Sequence, residues 1–433
     1  MIHSPNRKED HTMPRSRNPL LLTNTMSRKK ERFVPRSHGR VDLFTCGPSI
    51  YRDPHLGNYR TFLYEDVLHR YLVYLGYEVH RLINYTDVED KAIDEARRRR
   101  TDIWSVTGSA ARRFEDDARI LRMLLPAFIP RSSTSVDQAV HLINLLISRG
   151  HAYWYTEDVF YDPLTFDGFG RLYGLDMTRW PEKKRRFRRD TYPGQRWNRG
   201  DFILWHGGGE VAWDTAIGRG RPAWNVQDPA MITKHLGYRI DISCGGVDNL
   251  YRHHDYTIAV IEGASGEEFC PYWLHGAHLL ADGEKMSKKK GNIVYPRTIL
   301  EEGYSPGDIR FYLIYGHYRK RMNLTRERLD SRARMLRGFR DRLRRIFGGF
   351  LDAEEGKNHG SALQGGGPAV GILRAFEQGM NDDLDVKSAF DKVGRELEKI
   401  EREHARIPLP EQKKRALADA VRRIDGVLQV ILL

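Results

Sequence analysis

Cysteine is scarce in this chain: Cys46, Cys244 and Cys270 are three residues among 433. Three cysteines cannot build a disulfide framework, and their scarcity points to a reducing cytoplasm. Long apolar runs are missing too. No stretch reaches the roughly 20 residues a helix needs to span a bilayer, so no membrane partner is expected. The opening residues Met1 to Asn18 lack the apolar core of a secretory signal, and their acidic pair Glu9-Asp10 speaks against an organelle presequence. No internal repeat is visible.

What is present is basic charge. The chain carries +13 at neutral pH with a pI near 9.5, an unusual balance for an enzyme handling only small metabolites. It favours a polyanionic partner. Arg97-Arg98-Arg99-Arg100, the run Lys183 to Arg189 and the run Arg340 to Arg345 carry much of it. Any one run reads as a solvated face; their sum favours RNA. A chain this long exceeds one core and suggests two to four domains, and 40% hydrophobic residues is ordinary for a folded soluble protein.

Val41 to Cys46 reads as a buried strand ending at the Gly47-Pro48 turn. Pro54-His55-Leu56-Gly57-Asn58 follows. Apolar positions then keep helical spacing from about Arg60 to Leu75, stopped by Gly76. Glu78 to Ile83 reads as a second strand. Strand, phosphate-competent turn, helix and strand form the opening unit of a nucleotide-binding α/β sheet. Residues 151–225, rich in Trp, Tyr, Gly and Arg, read as an irregular insertion between two halves of that sheet. Strand character returns at Tyr238 to Ser243, just before Cys244-Gly245-Gly246. Further on, Leu329, Ala333, Leu336, Phe339, Leu343 and Ile346 keep steps of three and four. So do Val386, Phe390, Val393, Leu397 and Ile400, and likewise Leu417, Val421, Ile424, Leu428 and Ile431. The expectation is a Rossmann-type α/β nucleotide-binding catalytic domain in two halves, residues 20–150 and 226–325, split by the insertion. A basic extension, residues 1–19, precedes it. An all-α helical bundle, residues 326–433, follows, with a Gly-rich linker near 348–367.

The most informative segment is Glu284-Lys285-Met286-Ser287-Lys288-Lys289-Lys290-Gly291-Asn292. It sets several lysines, a hydroxyl and a glycine in a turn-prone loop that can wrap positive charge around a polyphosphate. Its complement is His55, about 230 residues upstream. Activating a carboxylate with ATP means in-line attack at the α-phosphate as pyrophosphate leaves. Negative charge spreads over the equatorial oxygens, so catalysis is mostly positioning and electrostatics. A histidine at a helix N-terminus can donate to those oxygens, and glycine lets adenine and ribose lie against the backbone. The loop can close Lys285 and Lys288 over the β- and γ-phosphates. Either segment alone is an ordinary surface loop; the pair, in this order, is specific.

His55-Leu56-Gly57-Asn58 and Lys285-Met286-Ser287-Lys288-Lys289 resemble the two signatures of class I aminoacyl-tRNA synthetases, the second being their KMSKS-like loop. Other stretches narrow the resemblance to the cysteinyl-tRNA synthetase family. They are Phe44 to Tyr51, Asn84 to Lys91, Gly218 to Trp224, Cys244 to Asp248 with His253-His254-Asp255, Gly316 to Arg319, and Met380 to Leu384. The resemblance covers roughly residues 20 to 430. The resemblance implies a ligase that adenylates cysteine with ATP, Mg2+ sitting on the phosphates, and passes it to tRNA. It implies catalytic roles for His55, Asn58, Lys285 and Lys288. Gly57, Gly245, Gly246, Asp248, Met286 and Ser287 would bind ATP, and Cys46, Gly47, Thr86 and Trp224 the amino acid. Asp87 and Asp90 match an acidic run of the family and read as structural.

In that family a zinc ion selects cysteine: zinc binds thiolate well, and serine's hydroxyl is a poorer ligand, harder to ionise. By position the ligands fall on Cys46, on Asp228 where the family has cysteine, on His253, and on Thr257 where it has glutamate. Two of four depart. The family's Trp-His-x-Glu-Cys pattern has become Trp224-Asn225-Val226-Gln227-Asp228, and Ser243 and Cys244 stand in place of histidine and glycine. Three readings stay open. Cys46, Asp228 and His253 still hold zinc; Cys244 or His254 supplies a replacement ligand; or the metal is gone and the pocket takes another amino acid.

The sequence ends at Leu433, where the bundle should finish and where bacterial members commonly add a small anticodon-reading domain. The resemblance therefore reaches the mycothiol cysteine ligase as well, which transfers activated cysteine to a sugar amine. Three functions stand side by side. A cysteine–tRNA ligase is favoured by the basic balance. An adenylating ligase would use a small-molecule amine or another amino acid. An RNA-binding paralogue without the reaction is opposed by the survival of His55, Lys285 and Lys288. A cytoplasmic monomer is expected.

Overall fold

The computed structural model describes residues 18–126, 128–179, 200–287, 290–348, 367–405, 407 and 409–432. Most of the basic extension, the run 183–189, Lys288, Lys289 and nearly all of the expected linker lie outside the described residues.

A short antiparallel hairpin, β1 (Leu21–Thr23) and β2 (Lys30–Arg32), leads into β3 (Arg40–Thr45), α1 (Leu56–Tyr74) and β4 (Glu78–Ile83). The helix starts four residues before the position its apolar spacing suggests. His55 is its cap, and its backbone N–H donates to Asn58 Oδ1 at 3.0 Å, so the first turn forms on polar residues. Helices α2 (Asp90–Arg99), α3 (Ile103–Ile120) and α4 (Val136–Ser148) lead to the insertion.

The insertion is a sheet, not the irregular segment expected. β5 (Ala152–Tyr155), β6 (Asp158–Tyr161), β7 (Phe202–Gly207), β8 (Trp213–Thr215) and β9 (Gly218–Pro222) pair antiparallel in the order β5-β6-β7-β9-β8. These strands are short, and β9 is built from Gly, Arg and Pro, so neither alternation nor apolar density marks them.

Next come α5 (Trp224–His235), β10 (Ile242–Gly246), α6 (Asp255–Ser265) and β11 (Tyr272–Gly276). The strand expected at Tyr238 to Ser243 is shifted: β10 begins at Ile242 and runs on through the Gly245-Gly246 pair. Parallel neighbours on both sides, β3 and β11, hold its backbone groups.

The central sheet is parallel with the order β11-β10-β3-β4, and bridges from Phe128 and Arg131 extend it past β4. The two halves of the sheet therefore meet between β3 and β10. Alternate residues face opposite layers. Val41, Leu43, Ile83, Ile242 and Leu274 pack under Leu63 and Val67 of α1. Phe44, Leu82 and Trp273 pack against Ile232, Leu236, Ile258 and Ile261 of α5 and α6. In such sheets the crevice for a ligand opens beyond the strand ends where the order reverses. Here that point is the pair Thr45 and Gly246.

β12 (Leu279–Ala281) and β13 (Glu284–Lys285) form a hairpin, and β14 (Met322–Leu324) runs parallel to β12. Asp282 (φ 49°) and Gly283 (φ 84°) make the tight left-handed turn that suits such a hairpin. Between β13 and β14 lie α7 (Pro296–Glu301) and α8 (Pro306–Ile314). The bundle is α9 (Arg326–Phe347) with the helices Pro368–Met380, Val386–Glu403 and Glu411–Leu428. Its expected core positions are buried, apart from the partly exposed Ile346. Arg310 fastens it to the catalytic sheet, donating to Asp66 Oδ2 at 2.6 Å and to the carbonyls of Leu121 and Leu428. Among the described residues no helix is long and apolar enough to cross a membrane.

Candidate active site

A cleft of about 810 Å³ opens at the C-terminal ends of β3, β4 and β10. One end is set by α1 and the β12–β13 hairpin. His55 sits at the start of α1, with Nδ1 buried and without a hydrogen-bond partner among the described residues. Burial lowers its pKa despite the nearby Asp248, so the ring is neutral and carries one N–H to donate. Gly57 is needed for that pose, because a Cβ there would stand 2.9 Å from the His55 ring. Asn58 holds the cap, as its Oδ1 accepts from His55 N–H.

The hairpin brings Lys285 to the same cleft, where its Nζ lies 3.4 Å from Asp248 Oδ2. His278, on the other side of that carboxylate, approaches to 4.0 Å. Met286 is buried beneath the loop. Ser287 N–H donates to Asn292 Oδ1 at 2.9 Å, and Asn292 Nδ2 donates to Lys285 O at 3.3 Å. Asn292 thus clamps the turn that carries the lysines. Lys288 lies outside the described residues.

The other end of the cleft is polar and buried. Cys46 follows β3, and its Sγ lies 3.3 Å from His253 Nε2. The same nitrogen lies 2.8 Å from Asp228 Oδ2. Asn84, the first residue after β4, donates to Asp228 Oδ1 at 2.7 Å, donates to Thr86 Oγ1 at 3.3 Å and accepts from Gly47 N–H at 2.8 Å. Trp224 stacks on the His253 ring with centroids 5.2 Å apart and planes 14° from parallel. Asn249 Nδ2 donates to Cys46 Sγ at 3.6 Å. Burial pushes the Cys46 thiol up, although His253 pulls the other way. Burial also opposes charge on His253, but Cys46 and Asp228 outweigh it and raise that pKa well above the usual histidine range.

The cleft therefore gathers His55, Gly57, Asn58, Asp248, Lys285, Met286 and Ser287 with Cys46, Gly47, Thr86, Trp224, Asp228 and His253. Gly245 and Gly246 do not line it. Gly245 exchanges hydrogen bonds with the Tyr64 hydroxyl, and a Cβ on it would stand 2.8 Å from the His254 ring. Gly246 N–H donates to Asn249 Oδ1 at 2.9 Å. Cys244 is buried in the layer under α1, away from the cleft. Asp87 accepts from Ser132 and Ser133, and Asp90 pairs with Arg221, both tying down structure. Asn84 and Asn292 stood in segments quoted from the sequence but were given no role there, and Asn249 and His278 were not named.

The donors at the Cys46 end fit the ion the family uses. A thiol, an imidazole and a carboxylate meet around one nitrogen, and three protein groups suffice for a catalytic zinc site. Thr257 contributes nothing to them; its hydroxyl donates to the His253 carbonyl at 3.0 Å.

The same fold occurs in Mycobacterium tuberculosis methionyl-tRNA synthetase in complex with methionyl-adenylate, with a TM-score of 0.66 and 14% identity over 90% of this chain and 91% of that one. It occurs also in the LeuRS–tRNA–LeuAMS ternary complex of Agrobacterium radiobacter K84, with a TM-score of 0.65 and 11% identity over 92% and 85%. Fold and paired motifs thus define a class I aminoacyl-tRNA synthetase. Residues 32–334 match the tRNA synthetases class I (C) catalytic domain. The cysteine–tRNA ligase of Chlamydia muridarum is 35% identical over 427 residues, 95% of this chain and 88% of that protein. That of Leptospira interrogans is 35% identical over 382 residues, 87% and 80% of the two. The chain belongs to the class I (C) tRNA synthetase family, whose reaction implies ATP with Mg2+, an amino acid and tRNA.

Proposed function

We propose that this enzyme adenylates cysteine with ATP and transfers the cysteinyl group to tRNA. The observation that carries the reading is one cleft with two chemically distinct ends, His55 and Lys285 at one and Cys46, His253 and Asp228 at the other. The substrate carboxylate attacks the α-phosphorus; an O–P bond forms, the bond to pyrophosphate breaks, and pyrophosphate leaves with the electron pair. His55 donates its N–H to the oxygens that gain charge. Lys285 exchanges Asp248 for the phosphates, and Lys288 adds a second ammonium. The cleft holds the carboxylate in line, which turns a bimolecular step into a positional one. A tRNA hydroxyl then attacks the adenylate carbonyl and AMP leaves.

Zinc, held by Cys46, Asp228 and His253, would supply a ligand position that prefers a thiolate to a hydroxyl. Trp224 fixes the His253 ring and Asn84 fixes the Asp228 carboxylate. A reducing cytoplasm would keep Cys46 a free thiol.

Pyrophosphate exchange across the amino acids, followed by charging of purified tRNA, tests the reading. Cysteine should support exchange and tRNA should become charged. Exchange with another amino acid but not cysteine would overturn the substrate. Exchange with cysteine but no charged tRNA would move the acceptor to a small amine.

A further inference from the structure

The metal end of the cleft has lost a glutamate, and nothing at Thr257 replaces it. A donor stands unused beside it. His254 is fully buried, and its Nε2 has no hydrogen-bond partner among the described residues. A buried nitrogen left so costs free energy unless something binds it. The other ring nitrogen is fixed: His254 Nδ1 lies 2.8 Å from His275 Nε2, and His275 Nδ1 lies 2.9 Å from Thr25 Oγ1. In the tautomer that has His275 accepting from His254 and Thr25 accepting from His275, the proton of His254 sits on Nδ1 and Nε2 keeps a bare lone pair. Histidines that ligate metals are held this way, with the second nitrogen donating to a fixed acceptor.

Position agrees with chemistry. One ring nitrogen each of His253 and His254, and Cys46 Sγ, all lie within 4.8 Å of one another. Gly245 sets the ring there, because a Cβ would come within 3.2 Å of Nε2. Cys244, the other candidate replacement, lies in the core under α1 and is excluded by its place.

We propose that His254 is a protein ligand of the metal in the amino-acid pocket, acting through Nε2 beside Cys46 and His253. This rests on the reading that the pocket holds zinc, and it names the donor that makes good the lost carboxylate. The set has one sulfur and two imidazoles.

X-ray absorption at the zinc edge of the zinc-loaded full-length protein counts these donors. One sulfur at about 2.3 Å with two imidazoles is expected. One imidazole would overturn the assignment of His254, as would two sulfurs or a protein that retains no zinc. His254→Gln gives an independent reading, with zinc affinity by chelator competition expected to fall roughly 10- to 100-fold; unchanged affinity overturns the proposal. Should that variant fail to fold, the absorption spectrum of the unaltered protein decides alone. Cysteine-dependent exchange scores activation separately: exchange with a single imidazole sinks only the ligand, and two imidazoles without exchange sink only the activation.

Discussion

Gly47 leaves no room for a side chain. A Cβ would stand 1.9 Å from the Asn84 carbonyl oxygen and 2.8 Å from Ile83 Cγ2, and the Gly47 N–H is already given to Asn84. Gly47→Ala must therefore push Asn84 away and release the Asp228 carboxylate it holds. Cysteine-dependent exchange should fall roughly 100-fold in kcat/KM, the scale of an ångström's misplacement. Wild-type kinetics would show that Asn84 does not position the pocket. Residue types with their own chemistry were legible in sequence: His55, Lys285, Trp224, Asp228 and His253 all reach the cleft. Asn84 and Asn249 were not, because their roles come from the register of β3, β4 and β10 and from no property of asparagine. Gly245 was legible as a close approach, but the neighbour it admits is His254 and not the cleft.

At the scale of elements, α1 and β4 share a buried charge. Glu65 lies 3.8 Å from Arg81, both side chains inaccessible. Burial pushes the Glu65 carboxyl up to about 8, against the pull of Arg81. The unfolded chain releases that proton near pH 4.5. Between the two values the folded chain holds a proton the unfolded chain has lost, so stability falls as pH rises from 4.5 to 8 and levels off above. Glu65→Gln removes this contribution. Thermal melts from pH 5 to 9 should fall less steeply than wild type, by up to ~1.4 kcal/mol for each pH unit in the window. Identical slopes would contradict the account. Helix α1 and the bundle helices were legible from their spacing and β4 as a strand, whereas α2 to α8 drew no helix assignment from the sequence. The inserted strands were not, because three to six residues of mixed composition carry too little periodicity. The β12–β13 hairpin offered a signal in Asp282-Gly283 that the lysines behind it obscured.

Across the whole molecule, the bundle is held to the catalytic sheet by buried polar contacts as well as by a shared apolar core. Burial alone would raise Asp66, but Arg310 and Arg70 hold it below the usual carboxylate range. Arg310→Met removes one cation and three hydrogen-bonded carbonyl contacts, at a cost of roughly 3–5 kcal/mol. Denaturant titration should show that loss, and the pair Asp66→Asn with Arg310→Met should recover part of it. A loss below 1 kcal/mol would mean the bundle docks through its apolar surface alone. The fold joins two motifs far apart in sequence because β3 and β10 become neighbours, and everything proposed for catalysis depends on that. Single-turnover formation of the adenylate in His55→Ala and Lys285→Ala tests it most directly. Each variant should lose roughly 100- to 1,000-fold in rate with an unchanged melting temperature. Adenylate formed at the wild-type rate in either one would contradict the assignment of this cleft.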